Sequence, residues 1–441
     1  MQVINNKYLE NIFTEYDESL TKGLNIDPLG FQIVWTYFGQ KIFQNKTTSV
    51  ALDIRSYNIN LFNHYIIYQI IQENEGLSFK NLITNDITIK EKIEKTLILL
   101  ENLLTWSWFS KRKEWKDQYQ SGLLGTYKAI SLWEDKNSYV VNFNERDFSK
   151  IEVLKSQRAL GVSGRYKGPF RAMGFFKEYE ESSYKGNSEL FEVEIKQLIT
   201  PQDSPFHDLY YDVIKLLQTA QINRNIEIGM DDTIVNSFES CFKNPKESAE
   251  ITKEFWEKYL GLKQDESSII YEHIDLPKKG EEIYNAKQIF EKALSEYPDN
   301  KIFQDINQLE PQLTYLNILF DYLISKSEHK ISELDNEYIS ILGNFRWDNL
   351  SIDQNSSVYF RIEELKKIKD YESLIDYHRV VMEKRGQTPW IELKKDTTIK
   401  TNIVKNINHN IENLLSNKLD NNWLNDYYIY SMRSIKRGLE Q

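Results

Sequence analysis

Residues 91–109, EKIEKTLILLENLLTWSWF, decide the fold class of this chain because their apolar side chains recur at helical spacing. Leu97, Leu100, Leu104 and Trp108 lie three or four positions apart. An α-helix brings such positions onto one face, where they are buried together. The high apolar density around this stripe predicts a well-buried helix over the whole stretch.

The same periodicity recurs along most of the chain and predicts a mainly α, multi-helix protein. Asp27-Pro28 is a typical helix start, because proline is tolerated in the first turn, where its missing N–H is not needed. The sequence has 9 Pro and 17 Gly in 441 residues, too few turn residues for an all-β architecture. Further helices are predicted over 7–20, 50–72, 206–221, 250–261, 283–296, 311–325, 331–342, 357–384 and within 400–441.

A small β element is predicted around residues 138–195. Residues 138–143 are β-branched and aromatic, which favours a strand. Residues 190–195 alternate apolar and acidic side chains, which fits either a half-buried strand or the start of a helix. The polar stretch 262–282 indicates a linker, so we expect two or three helical subdomains. The predicted domains are an N-terminal helical domain over 1–137, a basic segment with short strands over 138–200, a helical domain and linker over 201–282, and a C-terminal helical domain over 283–441.

Composition and charge exclude several classes of protein and site. Cys241 is the single cysteine, which excludes an intramolecular disulfide and any cysteine-rich metal site. The formal net charge of −11 argues against wholesale coating of nucleic acid or of an anionic membrane surface. No apolar run reaches the length of a membrane span, and no basic start leads into an apolar signal stretch. We therefore expect no membrane association and a reducing, cytoplasmic location.

The most unusual stretch is residues 150–177, which we call the basic segment. It carries seven basic side chains against Glu152, a net charge of +6, so the other 413 residues carry −17. Glycines bring the backbone close to a ligand, cationic side chains bind phosphate, and aromatic rings stack on bases. This combination predicts a nucleic-acid or phosphate site. The residues expected to contact the ligand are Lys155, Arg158, Gly161, Gly164, Arg165, Tyr166, Lys167 and Arg171.

Two motifs in the basic segment resemble those of nucleic-acid-binding families. Residues 158–163, RALGVS, resemble the turn of a helix-turn-helix, with Gly161 in the turn and Ser163 as the cap of the second helix. Pro169 falls inside that second helix, which disfavours a standard recognition helix. Residues 161–164, GVSG, also resemble the GxxG loop with which KH domains clamp a nucleic-acid backbone. A solvated surface loop, or a basic strap that docks on an acidic protein surface, remains an alternative.

No complete catalytic motif is present in the sequence, which favours a non-enzymatic chain with no metal and no cofactor. One pattern leaves a metal-dependent nuclease open. Glu392 and Lys394 form E-x-K on a predicted strand and resemble PD-(D/E)xK nucleases, in which the carboxylate holds metal and the lysine places water. That family also uses an upstream aspartate, for which Asp370 and Asp376 are the candidates. Two pairs of adjacent residues could also bind a metal ion, His207-Asp208 and Asp231-Asp232. The first is better explained as the start of a helix and the second as an acidic turn.

Residues 286–298 resemble the second helix of a tetratricopeptide repeat, with Ala286, Phe290, Ala293 and Pro298 at the family's spacing. An ordinary amphipathic helix explains the same spacing. Without a catalytic motif, we expect a helical subunit of a multiprotein assembly that contacts nucleic acid or phosphate through the basic segment. A bacterial DNA-handling or phage-defence system is the setting we predict. The alternatives are the nuclease and a protein-interaction scaffold without nucleic-acid contact.

Overall fold

The computed structural model describes residues 27–51, 53–115, 122–176, 187–277, 283–334, 336–340, 350, 352–356, 358–404 and 423–440. These residues form two compact units. Unit 1 contains Gln44–Gln264 and the chain from Ser431 onward, and unit 2 contains the residues before Gln44 together with Asp265–Tyr430. The helix predicted over 7–20 lies outside the described residues. The four domain boundaries drawn from the sequence stay a prediction.

Helices dominate both units, so the predicted mainly α, multi-helix class is confirmed. The first half of the described chain contains α1 (Gln32–Ile42), α2 (Ile54–Ile71), α3 (Phe79–Leu82), α4 (Ile89–Lys111), α5 (Thr126–Trp133), β1 (Ser138–Val141), α6 (Gln157–Leu160), α7 (Val162–Ala172), α8 (Lys196–Ile199) and α9 (His207–Ala220). The second half contains β2 (Ile226–Gly229), α10 (Thr233–Phe242), α11 (Pro245–Tyr259), α12 (Asp265–His273), α13 (Ala286–Glu296), α14 (Lys301–Leu323), β3 (Glu328–Lys330), α15 (Asn336–Ser340), α16 (Tyr359–Leu365), α17 (Tyr371–Lys384), β4 (Ile391–Leu393), β5 (Thr398–Thr401) and α18 (Ile429–Glu440).

Helix α4 contains the stretch 91–109 and forms part of the core of unit 1. Its N-terminus is fixed by a capping box, in which the Thr88 hydroxyl accepts a hydrogen bond from the N–H of Glu91 and the Glu91 carboxylate accepts one from the N–H of Thr88. Every residue from Leu97 to Phe109 is buried. The well-buried helix that the apolar stripe predicts is therefore confirmed.

Helix α2 lies inside unit 1 and is buried from Ile54 to Ile70. It packs against α4, α7 and α11. A helix that is buried on all sides must find partners for its polar side chains within the protein. Asn58, for example, accepts a hydrogen bond of 2.6 Å from the indole N–H of Trp256. This helix is the support on which the basic segment is placed.

Helix α18 completes unit 1 from the far end of the described chain. The Ser431 hydroxyl donates a hydrogen bond of 2.7 Å to the backbone carbonyl of Ser49. Gly438 lies so close to α2 that a Cβ atom there would be 2.4 Å from Cγ2 of Ile54. The last helix therefore packs directly on the beginning of α2.

Two small sheets accompany the helices. In unit 1, β1 pairs with β2 in antiparallel fashion, with Ser138 opposite Gly229 and Val141 opposite Ile226. In unit 2 the strand order is β3–β5–β4, and both pairs are antiparallel. The strand predicted over 138–143 is confirmed. Leu190–Ile195 forms a π-helix, so the helical interpretation of that stretch is correct and the strand interpretation is wrong.

Unit 2 departs from the sequence-based prediction at two helices. The stretch 262–282, predicted as a linker, contains α12, which buries Ser267 and Ile270. The sequence did not predict this helix because only two of its residues are buried and most of its side chains are polar. The single helix predicted over 357–384 is divided in two, because Asp370 starts α17 by accepting a hydrogen bond of 2.7 Å from the N–H of Ser373.

Helices α13 and α14 pack against each other in unit 2. The three residues of α13 at tetratricopeptide spacing, Ala286, Phe290 and Ala293, are all buried. Helix α13 also packs against α12, which precedes it in the chain. Both the repeat and the ordinary amphipathic helix bury such a stripe, so the packing agrees with either interpretation.

Candidate nucleic-acid interface

The basic segment is folded as two consecutive helices, α6 and α7, joined at Gly161. The backbone N–H of Gly161 donates to the carbonyl of Gln157 at 2.7 Å, and the N–H of Arg165 donates to the carbonyl of Gly161 at 3.0 Å. Helix α7 continues through Pro169 to Ala172. The second helix of the helix-turn-helix comparison therefore exists, although α6 before it is a single turn. A surface loop is the wrong description of 157–172, and Lys177 lies outside the described residues.

The aromatic side chains of α7 lie in the core of unit 1. Tyr166 is 1% exposed, and its ring centroid is 4.6 Å from that of Tyr57 on α2 in an edge-to-face arrangement. Phe170 is fully buried, with its ring 6.3 Å from Tyr57 and 6.0 Å from Trp256. Phe175, just beyond the helix, is also buried. These rings anchor the basic segment to α2, and they are not accessible for stacking on bases.

The N-terminus of α7, which begins directly after Gly161, is capped by the side chain of Glu101. Glu101 of α4 accepts a hydrogen bond of 2.7 Å from the N–H of Ser163. Its second oxygen accepts a hydrogen bond of 3.1 Å from the side-chain amide of Gln157. Burial raises the pKa of Glu101, and these donors oppose that effect. Ser163 is therefore not the helix cap; Glu101 has that role.

Gly161 and Gly164 are required by this internal packing. A Cβ atom at Gly161 would lie 2.5 Å from a carboxylate oxygen of Glu101 and 2.6 Å from the carbonyl oxygen of Gln157. A Cβ atom at Gly164 would lie 2.4 Å from the carbonyl oxygen of Arg158. The GxxG loop of a KH domain holds a nucleic-acid backbone, whereas the Ser163 amide inside this GxxG donates its hydrogen bond to Glu101. The two glycines let α6, α7 and α4 approach one another closely.

Five cationic side chains of the basic segment reach the surface from α6, from α7 and from the turn before α6. Lys155, Arg158 and Arg171 are exposed, and Arg165 and Lys167 are half-buried. We call these five residues the cationic surface. Cationic side chains that extend from a fixed helix are suited to neutralising phosphate groups. Of the predicted contact residues, the five cations therefore reach the surface, whereas Tyr166, Gly161 and Gly164 pack inside unit 1.

Two arginines of the cationic surface are held in place by neighbouring groups. The guanidinium of Arg158 lies 4.7 Å from the ring centroid of Phe148 and 3.4 Å from the carboxylate of Glu94. The Nε–H of Arg165 donates a hydrogen bond of 2.7 Å to the carbonyl of Leu160, at the end of α6. Both side chains therefore have a defined direction on the surface.

The charge of Lys167 is felt by a buried histidine on α2. Burial, and next to it the positive charge of Lys167, lowers the pKa of His64 to about 3. The His64 ring packs edge-on against Phe176 at 4.9 Å. Because His64 is neutral at every physiological pH, it adds no charge beneath the cationic surface.

A residue that the sequence analysis missed lies next to the basic segment. Tyr127 on α5 is 90% exposed, the largest exposure of any large hydrophobic side chain in the described residues. The N-cap of α5, Gly125, has φ +80° and lies against the chain just before Lys155, since a Cβ atom there would be 3.5 Å from Val153 and 3.6 Å from Leu154. The available sequence signal was the pair Tyr127-Lys128, which begins two residues after Gly125.

The residues proposed for nuclease chemistry are not assembled into a metal site. Glu392 lies on β4, as predicted, Lys394 directly follows that strand, and the two form an exposed ion pair of 2.5 Å. Asp370 caps α17, and Asp376 pairs with Arg379 at 2.6 Å. Across the described ranges, no three His, Cys, Asp or Glu side chains are grouped closely enough to hold a metal ion.

The pairs His207-Asp208 and Asp231-Asp232 have ordinary structural roles. His207 is the first residue of α9, and its Nδ1 lies 2.8 Å from the carbonyl oxygen of Thr200. In the second pair, Asp231 forms an ion pair of 2.7 Å with Lys111, and Asp232 accepts a hydrogen bond of 2.6 Å from the N–H of Gly229. His207-Asp208 is therefore the start of a helix, and Asp231-Asp232 is an acidic turn.

Among the described residues, no helix combines the length and the apolar character that crossing a membrane requires. No family model, no curated protein and no solved structure matches this chain. The candidate interface is therefore defined by its own geometry: an internally capped helix pair with its rings inward and its cations outward.

Proposed function

We propose that the chain is a non-enzymatic helical subunit of a multiprotein assembly and that it contacts nucleic-acid phosphates through the cationic surface. The observation that carries this proposal is the sidedness of the basic segment: α7 buries Tyr166 and Phe170, whereas Lys155 before α6, Arg158 on α6 and Arg171 on α7 are exposed. Cations at fixed positions bind a polyanion by releasing its counterions. Because the rest of the chain carries −17, an anionic polymer is attracted to this surface and repelled elsewhere.

The contact is made by side-chain cations rather than by backbone amides. The amide of Ser163, which a phosphate would need at the start of α7, is hydrogen-bonded to Glu101. Glu101 thus takes the place that an external anion would have at this helix end. Lysine and arginine side chains therefore remain as the phosphate ligands, and such contacts carry no base specificity.

The nuclease alternative receives little support from the geometry. In the E-x-K pair, the ammonium of Lys394 already neutralises the carboxylate of Glu392 that a metal would need. The nuclease hypothesis is tested by Mg²⁺-dependent cleavage of DNA or RNA, which Glu392→Ala should abolish. Equal cleavage by that variant and the wild type would eliminate a role for this pair.

The experiment for the proposed function is fluorescence anisotropy of labelled DNA and RNA at two salt concentrations. We expect binding that weakens by up to roughly 500-fold between about 50 and 200 mM salt if each of the five cations contacts one phosphate. The double variant Lys155→Glu and Arg158→Glu should bind at least about tenfold more weakly, with a shallower salt dependence.

The matched control is the double variant Lys136→Glu and Arg224→Glu, which makes the same change in net charge at two other exposed cations of unit 1. It should bind as the wild type does, apart from a small effect of net charge. If the wild type fails to bind at low salt, or if both double variants bind equally, the proposed function is wrong.

The proposal also includes the cellular compartment and the kind of assembly in which this subunit works. We infer a cytoplasmic assembly in a bacterial DNA-handling or phage-defence system, in which other subunits supply the chemistry. Support comes from the single buried cysteine, which suits a reducing compartment, and from the lack of a catalytic motif in the sequence. Affinity purification of the tagged chain, with and without nuclease treatment, distinguishes protein partners from partners bridged by nucleic acid.

A further inference from the structure

Tyr127 is exposed on a helix that is otherwise firmly anchored in unit 1. Helix α5 buries Ala129 and Trp133, and the Trp133 ring packs edge-on against Trp106 at 5.3 Å. The opposite side of the helix presents Tyr127 and Lys128 to solvent. A large aromatic ring that is 90% exposed on a helix anchored through Ala129 and Trp133 is an available stacking surface.

The start of α5 and the start of the cationic surface meet at Gly125. A Cβ atom at Gly125 would be in van der Waals contact with Val153 and Leu154, the two residues before Lys155. Tyr127 follows Gly125 by two residues in the chain. Tyr127 and Lys155 therefore each lie one or two residues from the contact between the two segments, and Lys128 adds an exposed cation on α5.

We propose that Tyr127 stacks on an unpaired base, so that the nucleic acid bound by this chain is single-stranded. This inference rests on the proposed function and names its ligand. Single-stranded nucleic acids are bound without sequence preference by a cationic surface that tracks the backbone and an aromatic side chain on which bases stack. In a duplex the base faces are covered by their neighbours, and an exposed ring gains nothing from them.

The arrangement favours a nucleic acid over a protein as the occupant of this surface. The rings of the basic segment itself are buried, so Tyr127 supplies the stacking that the cationic surface lacks. The exposed cations Lys128, Lys155 and Arg158 match a backbone that carries one negative charge for each nucleotide. A protein that docks on Tyr127 and the neighbouring Ile130 is the competing occupant, and the experiment below separates the two.

The test compares the affinities of the full chain for a labelled oligo-dT and for a duplex of equal length by anisotropy at low salt. Tyr127→Ala should weaken binding of oligo-dT by at least about fivefold, because stacking of one base is lost, and should change duplex binding by less than about twofold. Tyr127→Phe, which keeps the ring, should bind oligo-dT like the wild type.

The control is Tyr211→Ala, which removes a ring that is 49% exposed on α9, and it should leave both affinities unchanged. If Tyr127→Ala binds oligo-dT as tightly as the wild type, or if the wild type prefers the duplex, the stacking role is wrong. The proposed function still stands in that case, provided that charge reversal at Lys155 and Arg158 weakens binding. If the wild type binds neither probe, both proposals fail, and Tyr127 is left as a surface for protein.

Discussion

The carboxylate of Glu101 on α4 accepts a hydrogen bond of 2.7 Å from the backbone N–H of Ser163, at the start of α7. A side chain from one helix thus caps the N-terminus of another, a role that a residue directly before the helix ordinarily has. The same carboxylate accepts a hydrogen bond from Gln157 on α6. Glu101 therefore holds both sides of the corner at Gly161 and determines where the cationic surface lies.

Replacing Gly161 with alanine should disrupt this corner. The new Cβ atom would lie 2.5 Å from a Glu101 oxygen and 2.6 Å from the carbonyl oxygen of Gln157, and the backbone contact cannot move aside cheaply. We expect Gly161→Ala to destabilise unit 1 by about 1–3 kcal/mol, the range for overpacking a well-packed site. A lower thermal unfolding midpoint, followed by circular dichroism, is the measurement.

Gly229→Ala is the matched control for this change. The nearest atom to a Cβ at Gly229 is 3.8 Å away, so the methyl group fits without a clash. Its unfolding midpoint should stay close to that of the wild type. Equal midpoints for the two alanine variants would contradict the tight corner at Gly161.

Glu310 should make the stability of unit 2 depend on pH near neutrality. It is fully buried and accepts hydrogen bonds from the hydroxyl of Tyr427 at 2.6 Å and from the hydroxyl of Thr314 at 2.9 Å. Burial raises the pKa of Glu310 from 4.5 to about 7. The folded state then binds the proton more tightly than the unfolded state does, so this contribution to stability is lost as the pH rises from about 4.5 through 7.

The effect of Glu310 is isolated by comparison with Glu310→Gln, which does not titrate. At about 1.4 kcal/mol per pKa unit, the difference in unfolding free energy between the two proteins should change by on the order of 3 kcal/mol between pH 4 and 8. Relative to the variant, the wild type should become less stable as the pH rises. A difference that is constant over this range would show that Glu310 has an ordinary pKa in the folded protein.

His378 should have the opposite pH dependence. Its Nδ1 lies 2.8 Å from the carbonyl oxygen of Pro28, and its Nε2 accepts a hydrogen bond of 2.8 Å from the N–H of Trp390. One nitrogen donates and the other accepts, so the ring is neutral. Burial lowers the pKa of His378 to about 4. Stability from this residue is therefore complete above pH 6.5 and is lost as the pH falls toward 4.

The test variant is His378→Gln, whose amide retains one donor and one acceptor and has no charge to gain. Urea unfolding at pH 7.5 and at pH 4.5 should show that the wild type loses more stability on acidification than the variant, by on the order of 2–3 kcal/mol. A larger loss in the variant would contradict a neutral buried histidine.

Cys241 should be unreactive in the folded protein. Its thiol is buried on α10, and burial raises the pKa of the Cys241 thiol well above its ordinary value. Because the thiolate is the reactive form, a disulfide reagent such as DTNB should label the native protein very slowly and the denatured protein at once. Rapid stoichiometric labelling under native conditions would show that α10 opens readily.

Local sequence signals predicted much of the fold but not the direction in which the basic segment faces. The capping box of α4 involves Thr88 and Glu91, three residues apart, and its apolar stripe repeats every three or four residues. Both features are local, so they can be recognised from residue spacing alone. The outward cations of α7 were also identified. Tyr166 and Phe170 lie four residues apart, a helical spacing that the glycines of the segment concealed.

The parts of the candidate site that could not be predicted are those that depend on distant residues. Glu101 and Ser163 are 62 residues apart in the chain, and nothing near either one indicates the partner. The exposure of Tyr127 depends on Ala129 and Trp133 being the buried side of α5, which is a property of the packing in unit 1. Pair contacts of this kind follow from the fold and not from any local pattern.

The placement of α18 in unit 1 has a consequence for synthesis on the ribosome. Ser431 and Gly438 pack against the region around Ser49 and Ile54, yet they are translated after all of Asp265–Tyr430. At about 5–20 residues per second, the ribosome needs on the order of 10 to 30 s to make the intervening residues. Throughout that interval the nascent chain exposes the start of α2 without its final helix, so unit 2 emerges from the exit tunnel before unit 1 is complete.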